Sequence, residues 1–297
     1  MTNTSDTNAP RTNTPGTGAV RIAVCLKWVA HPGEPDDERF SGMSSADASA
    51  LEWALRQSDH IRSLGGTAEV TAITVGPAGA DRVVRDAVAR GAHRAVRVEA
   101  PKGTDSADVA TALASALAGW HWFWCGDYSA DRGTGSVPAF LAAATGARQA
   151  LGVIDARVDQ ARVDQARDSD LRVSLTRRLD GGRRELLDAS APAVVSVEGA
   201  TAPLRRASLP AVRAAAAQSV EVVHPGTPVR THDAVVVPYR PRARVLPAPV
   251  GDDALDRLRV LTDAAAASAA RGETVDASPA EAAARIVSAV RAWGYLE

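Results

Sequence analysis

Short apolar runs alternate with amphipathic stretches through the first half of the chain. RIAVCLKWV, starting at Arg21, is nearly continuously apolar and ends in the polar, Pro/Gly-containing HPGEPDDERFSG, the pattern of a buried strand and its exit loop. SSADASALEWALRQSDHIRSLGG then places Leu51, Ala54, Leu55, Ile61 and Leu64 at helical spacing, with Ser44 or Ser45 as N-cap and Gly65-Gly66 as the stop. AEVTAITVG, AVRVE and WHWFWCG continue as strands. ADRVVRDAVARG, DSADVATALASALAG and TGSVPAFLAAATG continue as helices, the last starting near Thr134. Strands alternating with helices in this way predict right-handed crossovers and a doubly wound, Rossmann-like α/β fold. Its sheet is parallel, and ligands are expected at the C-terminal ends of the strands.

After Gly152 the period changes. LRVSLTRRL and RRELLD flank Asp180-Gly181-Gly182 as a β-hairpin, and PAVVSVEG reads as a further buried strand. Just before the hairpin, ARVDQ occurs twice in tandem, at 156–160 and 161–165, as a slipped duplication lengthening a surface connection. From Ala202 to about Val250 the chain is proline-interrupted and reads as an arm lying on something else. Ser278-Pro279-Ala280-Glu281 is a capping box opening EAAARIVSAVRAW as a terminal helix. Residues 1–19 are Thr, Asn, Pro and Gly with almost no large apolar side chain, so they are expected to be a disordered tail. The expected organisation is that tail, an α/β domain over 20–215, and a C-terminal arm and helix over 216–297 that docks on a partner subunit.

The chain has 297 residues, 45% of them hydrophobic, enough for a full core. Its 34 basic residues nearly cancel 35 acidic ones, which argues against nucleic acid as a partner. Only Lys27 and Lys102 are lysines and the rest are arginine, a bias that codon usage explains at least as well as function. The two cysteines, Cys25 and Cys125, lie in apolar runs and are expected to be buried, inert thiols, with no metal site implied. No window approaches the about 18 apolar residues of a membrane span and no signal peptide is legible, so the cytoplasm is the expected compartment.

No nucleophile with a base, carboxylate pair or histidine cluster is legible. Neither a Gly-x-Gly-x-x-Gly after the first strand nor a Walker Gly-Lys-Ser/Thr is present. What remains is the loop after the fourth strand, CGDYSADRGTGSV, with glycines at 126, 133 and 135 and hydroxyls at Thr134 and Ser136 where a helix begins. Free backbone N–H groups and the positive end of a helix dipole would favour a phosphate there. An ordinary glycine-rich turn capped by Thr134 reads as well.

Taken in order, several motifs resemble those of the electron transfer flavoprotein β subunit, the FixA-like family. The opening V-K-x-V is matched by CLKWV, and N-P-F-D-E-x-A-x-E-x-A-L-R aligns with Ser44 to Arg56. V-G-P followed by R-x-A-L-A-M-G-A-D-R is similar to VGPAGADRVVRDAVARGAHR, and G-x-Q-A-I-D-G-D-T-A/G-Q-V-G-P aligns without gaps to Gly126 through Ala139. I-D-G-G matches Leu179 to Gly182, L-P-A-V-V matches APAVV, and A-T-L-P-N-I matches Ala207 to Val212. Arg213 is followed by AAAAQS where the family carries a lysine cluster. With the high arginine content, this is similar to an actinobacterial branch associated with mycofactocin systems.

The resemblance implies an adenine-nucleotide α-hydrolase-like sheet and a heterodimer with an α subunit that holds the redox-active FAD. The chain would carry electrons from a flavin or mycofactocin-linked dehydrogenase to a downstream acceptor, without being a turnover enzyme itself. It would bury an AMP, or a second FAD in bifurcating relatives. Carried over by position, the nucleotide site would use Cys25, Ser44, Ser45, Ala46, Asp47 and Val75. It would also use the loop Gly126, Asp127, Tyr128, Ser129, Ala130, Asp131, Arg132, Gly133, Thr134, with Gly135 and Ser136 added by the phosphate-cradle reading. Leu209, followed by Pro210, corresponds to the leucine that anchors a partner dehydrogenase. The alternatives are a stand-alone adenine-nucleotide-binding stress-type protein, against which the hairpin and arm count, and an ATP-cleaving pyrophosphatase relative, whose Ser-Gly-Gly-x-Asp-Ser is missing.

Overall fold

The computed structural model describes residues 19–29, 39, 41–158, 172–226, 253–261 and 275–296. Residues 1–18, most of the HPGEPDDERFSG exit loop, most of the ARVDQ repeat and much of the proline-interrupted stretch lie outside the described residues. The chain divides into two units, 1–234 and 235–297.

The first unit alternates strands and helices: β1 (Val20–Cys25), α1 (Ser45–Ser63), β2 (Ala68–Gly76), α2 (Asp81–Ala89), β3 (Arg94–Glu99), α3 (Ser106–Ala116), β4 (Trp122–Gly126) and α4 (Val137–Thr145). It continues with β5 (Arg148–Val158), β6 (Arg172–Arg178), β7 (Arg184–Ser190), β8 (Ala193–Val197), α5 (Leu209–Ala217) and β9 (Glu221–Val223). The described strands form one sheet in the order β7-β6-β5-β8-β4-β1-β2-β3-β9, parallel from β5 to β9 and closed at the other end by the antiparallel β5-β6-β7 meander. This is a Rossmann-like doubly wound α/β fold. Chain order reverses at β1, whose neighbours are β2 and β4, so the crevice beyond these strands is where such a sheet accepts a ligand.

The period of two along β1 sorts its side chains between two cores. Ile22 and Val24 pack with Leu51, Ala54 and Leu55 of α1, whereas Ala23 and Cys25 share the opposite core with Leu113 of α3 and Leu141 of α4. Trp122 and Trp124 of β4 join the α1 side and Phe123 the α3/α4 side, all fully buried. Each such side chain stabilises the fold by about 1.5–3 kcal/mol through removal from water. Helix α1 starts where Ser44 Oγ accepts the Asp47 N–H at 3.1 Å and stops before Gly65, whose φ of +87° is left-handed.

The structure departs from the sequence expectations at four places. β5 was not foreseen. Helix α4 begins at Val137 with Ser136 at its N-cap rather than near Thr134, because Gly135 turns left-handed at φ +54° and cannot continue a right-handed helix. Part of the stretch read as an irregular arm is ordered on the first unit: α5 packs against α2, and β9 extends the sheet beside β3. The segment entering α5 is also tied to α1, where Arg205 meets Glu52 and Asp59.

The second unit contains α6 (Ala254–Leu261) and α7 (Pro279–Ala292) among its described residues. The capping box at the start of α7 forms as expected: the Glu281 carboxylate accepts the Ser278 N–H at 2.9 Å and Ser278 Oγ accepts the Glu281 N–H at 3.4 Å. No helix among the described residues is long and apolar enough to cross a membrane.

Candidate functional site

A cavity of about 340 Å³ opens beyond the C-terminal ends of β1, β2 and β4. Its apolar side contains Cys25, Ile73 and Cys125 from the sheet, with Val109 and Leu113 from α3. Cys25 and Cys125 occupy the same rung of β1 and β4, both buried and both free thiols. The hydrogen bond to Cys25, with burial, pushes the Cys125 thiol well above its usual range, so it carries no thiolate at neutral pH.

Asp47, in the first turn of α1, stitches the strand ends together. It is 6% exposed, and its carboxylate accepts the main-chain N–H of Lys27 at 3.2 Å and also that of Gly126. Burial pushes this carboxyl up to about 6 despite those hydrogen bonds. Gly126 is required by the approach of α1: a Cβ there would stand 2.7 Å from Asp47 Oδ1 and 2.8 Å from Ala46 Cβ.

The loop from Asp127 to Ser136 crosses the mouth. Its first residue is fixed by the Asp127 N–H, which donates to the Val197 carbonyl of β8 at 3.0 Å. Within the loop the Gly133 N–H donates to the Ser129 carbonyl at 2.7 Å. At Gly135 a Cβ would lie 2.1 Å from the Asp127 carbonyl oxygen, so the loop closes on itself only with glycine there. Two side chains tie it to its surroundings. Lys27 Nζ donates to Ser129 Oγ at 2.8 Å and to Asp131 Oδ1 at 2.5 Å, and Arg132 Nη1 donates to the Thr104 carbonyl at 3.1 Å. Burial pushes the Asp131 carboxyl up, but the Lys27 and Ser129 hydrogen bonds outweigh it and hold the group below its usual range. Behind the loop, the N-terminus of α4 brings Val137 and Pro138 to the cavity.

Of the nucleotide-site residues expected from sequence, Ser45, Ala46, Asp127 and Gly133 are outside the lining and the remainder are in it. Ala46 stands directly behind Gly126. Leu209 and Pro210 are elsewhere, at the first turn of α5, where Leu209 is 72% exposed and Ser208 caps the helix by accepting the Ala211 N–H at 3.3 Å. Sequence reasoning missed Lys27, Trp28, Pro77, Lys102, Thr104 and Ser106, which line the cavity from the exits of β1, β2 and β3. A signal for two of them was present, since Lys27 and Lys102 are the chain's sole lysines. Lys102 Nζ lies 5.9 Å from the centre of the Trp28 ring, and Trp28 is held by its indole N–H, which donates to Ser41 Oγ at 2.7 Å.

The arrangement has the parts of a site for a small amphiphilic anion: an apolar floor, a glycine loop and helix N-terminus at one wall, and ammonium groups at the mouth. Among the described residues no group of three or more His, Cys, Asp or Glu side chains is placed to hold a metal ion.

Comparison with known proteins gives the wider context. Residues 37–227 match the family model described as the electron transfer flavoprotein domain. The chain is also similar to the electron transfer flavoprotein subunit beta of Methylophilus methylotrophus, with 27% identity over 216 residues, covering 69% of this chain and 79% of that one. The matched span takes in more than half of the chain, including α1, the cavity loop, the hairpin and the exposed start of α5, and the chain belongs to the electron transfer flavoprotein family, in its β-subunit type.

Proposed function

We propose that this chain is the β subunit of a heterodimeric electron transfer flavoprotein that relays electrons from a dehydrogenase to a downstream acceptor. On this reading an α subunit holds most of the FAD, which supplies the redox chemistry. The present chain completes the flavin's surroundings, selects partners and buries a structural nucleotide. β subunits of this family are electron carriers rather than enzymes.

The observation that carries the nucleotide part is the glycine loop lying across the mouth of a cavity at the switch point of the sheet, in a chain of this family. Its volume of about 340 Å³ is at the low end of the about 300–1,000 Å³ typical of small-molecule sites, which favours AMP over a second FAD. The loop backbone and the α4 N-terminus would hold the phosphate, and the apolar floor would take the base. Leu209, an exposed aliphatic side chain on a capped helix start, suits a docking residue for the donor dehydrogenase. The donor would be a mycofactocin-linked dehydrogenase, which the absent lysine cluster after Arg213 and the high arginine content support. The segment beyond β9 would dock on the α subunit, and the complex would work in the cytoplasm.

The test is acid release and chromatographic identification of nucleotides from the chain co-expressed with its α subunit. FAD and AMP at about one each per heterodimer is the expected result. Two FAD without AMP would move the reading to a bifurcating flavoprotein. A chain that forms no heterodimer and carries no FAD would return it to a stand-alone nucleotide-binding protein.

A further inference from the structure

The chain contains 34 Lys and Arg residues, of which two are lysine, and both lysines line the same cavity. Composition alone leaves this coincidence unexplained, because a bias toward arginine would act on every basic position alike. The physical difference between the two side chains supplies a reason. Arginine presents a rigid planar fork, whereas a lysine ammonium is a compact charge on a flexible stem that can turn between partners.

The surroundings of each ammonium fit that use. Lys27 Nζ spends two of its three N–H bonds on Ser129 and Asp131, and the third has no partner among the described residues. Asp131 Oδ1 also accepts the Ser129 hydroxyl at 2.6 Å and the Arg132 N–H at 2.8 Å, so it keeps its place in the loop when Lys27 turns. Lys102 rests against the Trp28 ring at 5.9 Å and meets no carboxylate among the described residues. Arg132 is committed to the Thr104 carbonyl. The mouth thus carries three cations against the Asp131 carboxylate, with Asp47 set deeper beneath the strand ends.

Resting on the nucleotide reading above, we infer that Lys27 and Lys102 form the anion-reading rim of the cavity and set its preference for a phosphorylated over an unphosphorylated adenine nucleoside. The phosphate lies between the two ammonium groups, taking the free N–H of Lys27, while loop backbone N–H groups contact it from the other side.

The test uses the full chain and two probes, AMP and adenosine, with binding followed by calorimetry. AMP is expected to bind at least about tenfold more tightly than adenosine. Lys27→Met and Lys102→Met should each weaken AMP by about tenfold and weaken adenosine clearly less, so that the ratio of the two affinities falls. A second measurement needs no variant. Reductive methylation modifies only the two lysines and the N-terminal amine, and AMP but not adenosine should slow it at Lys27 and Lys102, as read by peptide mass spectrometry. Equal affinity for the two probes overturns the inference and leaves the nucleotide reading standing. So does a phosphate preference that survives in both variants with methylation unslowed. Failure of both probes to bind overturns the nucleotide reading together with the inference.

Discussion

The carboxylate of Glu52 on α1 is gripped by Arg205, which donates its main-chain N–H at 3.1 Å, Nε at 3.0 Å and Nη2 at 3.3 Å. Glu52 is 5% exposed, and Arg56 adds a further bond at 2.9 Å. Arg205 →Met should therefore leave a buried carboxylate short of partners and cost about 2 kcal/mol, reduced from the fully buried case because the arginine is partly in water. Urea unfolding measures it. Adding Glu52→Gln should recover part of the loss.

The same pair gives an acid limit. Burial raises the Glu52 carboxyl, but hydrogen bonds from Arg205 and Arg56 outweigh it and hold the group below its usual 4.5. The stabilisation is present above pH 4.5 and lost as the pH falls through the lower folded value. The difference in stability between wild type and the Glu52→Gln/Arg205→Met protein should shrink over that interval.

Asp47 has the opposite sign. Its carboxyl is pushed from 3.8 up to about 6 by burial, so the native chain holds the proton more tightly than the unfolded one. Its contribution is full below pH 3.8 and is lost as the pH rises through about 6, a difference of about 3 kcal/mol. Asp47→Asn should flatten the stability profile between pH 4 and 7 while lowering its level, since it replaces one of the two carboxylate oxygens that serve the Lys27 and Gly126 N–H groups with an NH2 donor. Urea midpoints at three pH values decide the matter; an unchanged slope would assign the titration to another group.

On the proposed function, Gly135→Ala should leave the purified protein without nucleotide. The added methyl would stand 2.1 Å from the Asp127 carbonyl oxygen, and the left-handed φ of +54° adds strain. Gly135→Asp should do the same and add like-charge repulsion toward phosphate. Gly146→Ala, at a similar φ of +66° but with nothing within 4 Å of its Cβ, is the control. It should lose only about 1 kcal/mol and keep its nucleotide. The measurement is nucleotide content per purified protein.

Leu209→Ala should leave unfolding within about 0.5 kcal/mol of wild type, because the side chain already faces water. On the proposed function, reduction of the α–β complex by the donor dehydrogenase should slow about tenfold or more at limiting concentration. Normal transfer kinetics would remove Leu209 from the interface.

Strands β1 and β4 were legible as apolar runs closed by turn signals, β2 and β3 as short β-branched stretches, and α2 by its clean period. β5 was not, because Gly152 breaks its register with β8 and its positions mix exposed, half-buried and buried without period, so neither alternation nor a continuous run survives in RQALGVIDARV. Three-residue β9 carries almost no local signal and exists through its pairing with β3. In the site, the loop after β4 was visible as a glycine motif contiguous in sequence. Lys27, Trp28, Lys102 and Thr104 come from loops far apart in the chain, brought level only because parallel strands end together.

β9 also bears on solubility. Val96 to Val98 of β3 pair on one side with β2 and on the other with Glu221 to Val223, which close that flank of the sheet. A chain cut before residue 220 would bare the β3 ladder groups, a template for edge-to-edge aggregation. Shortened forms of this protein should therefore end beyond β9 if they are to stay monodisperse.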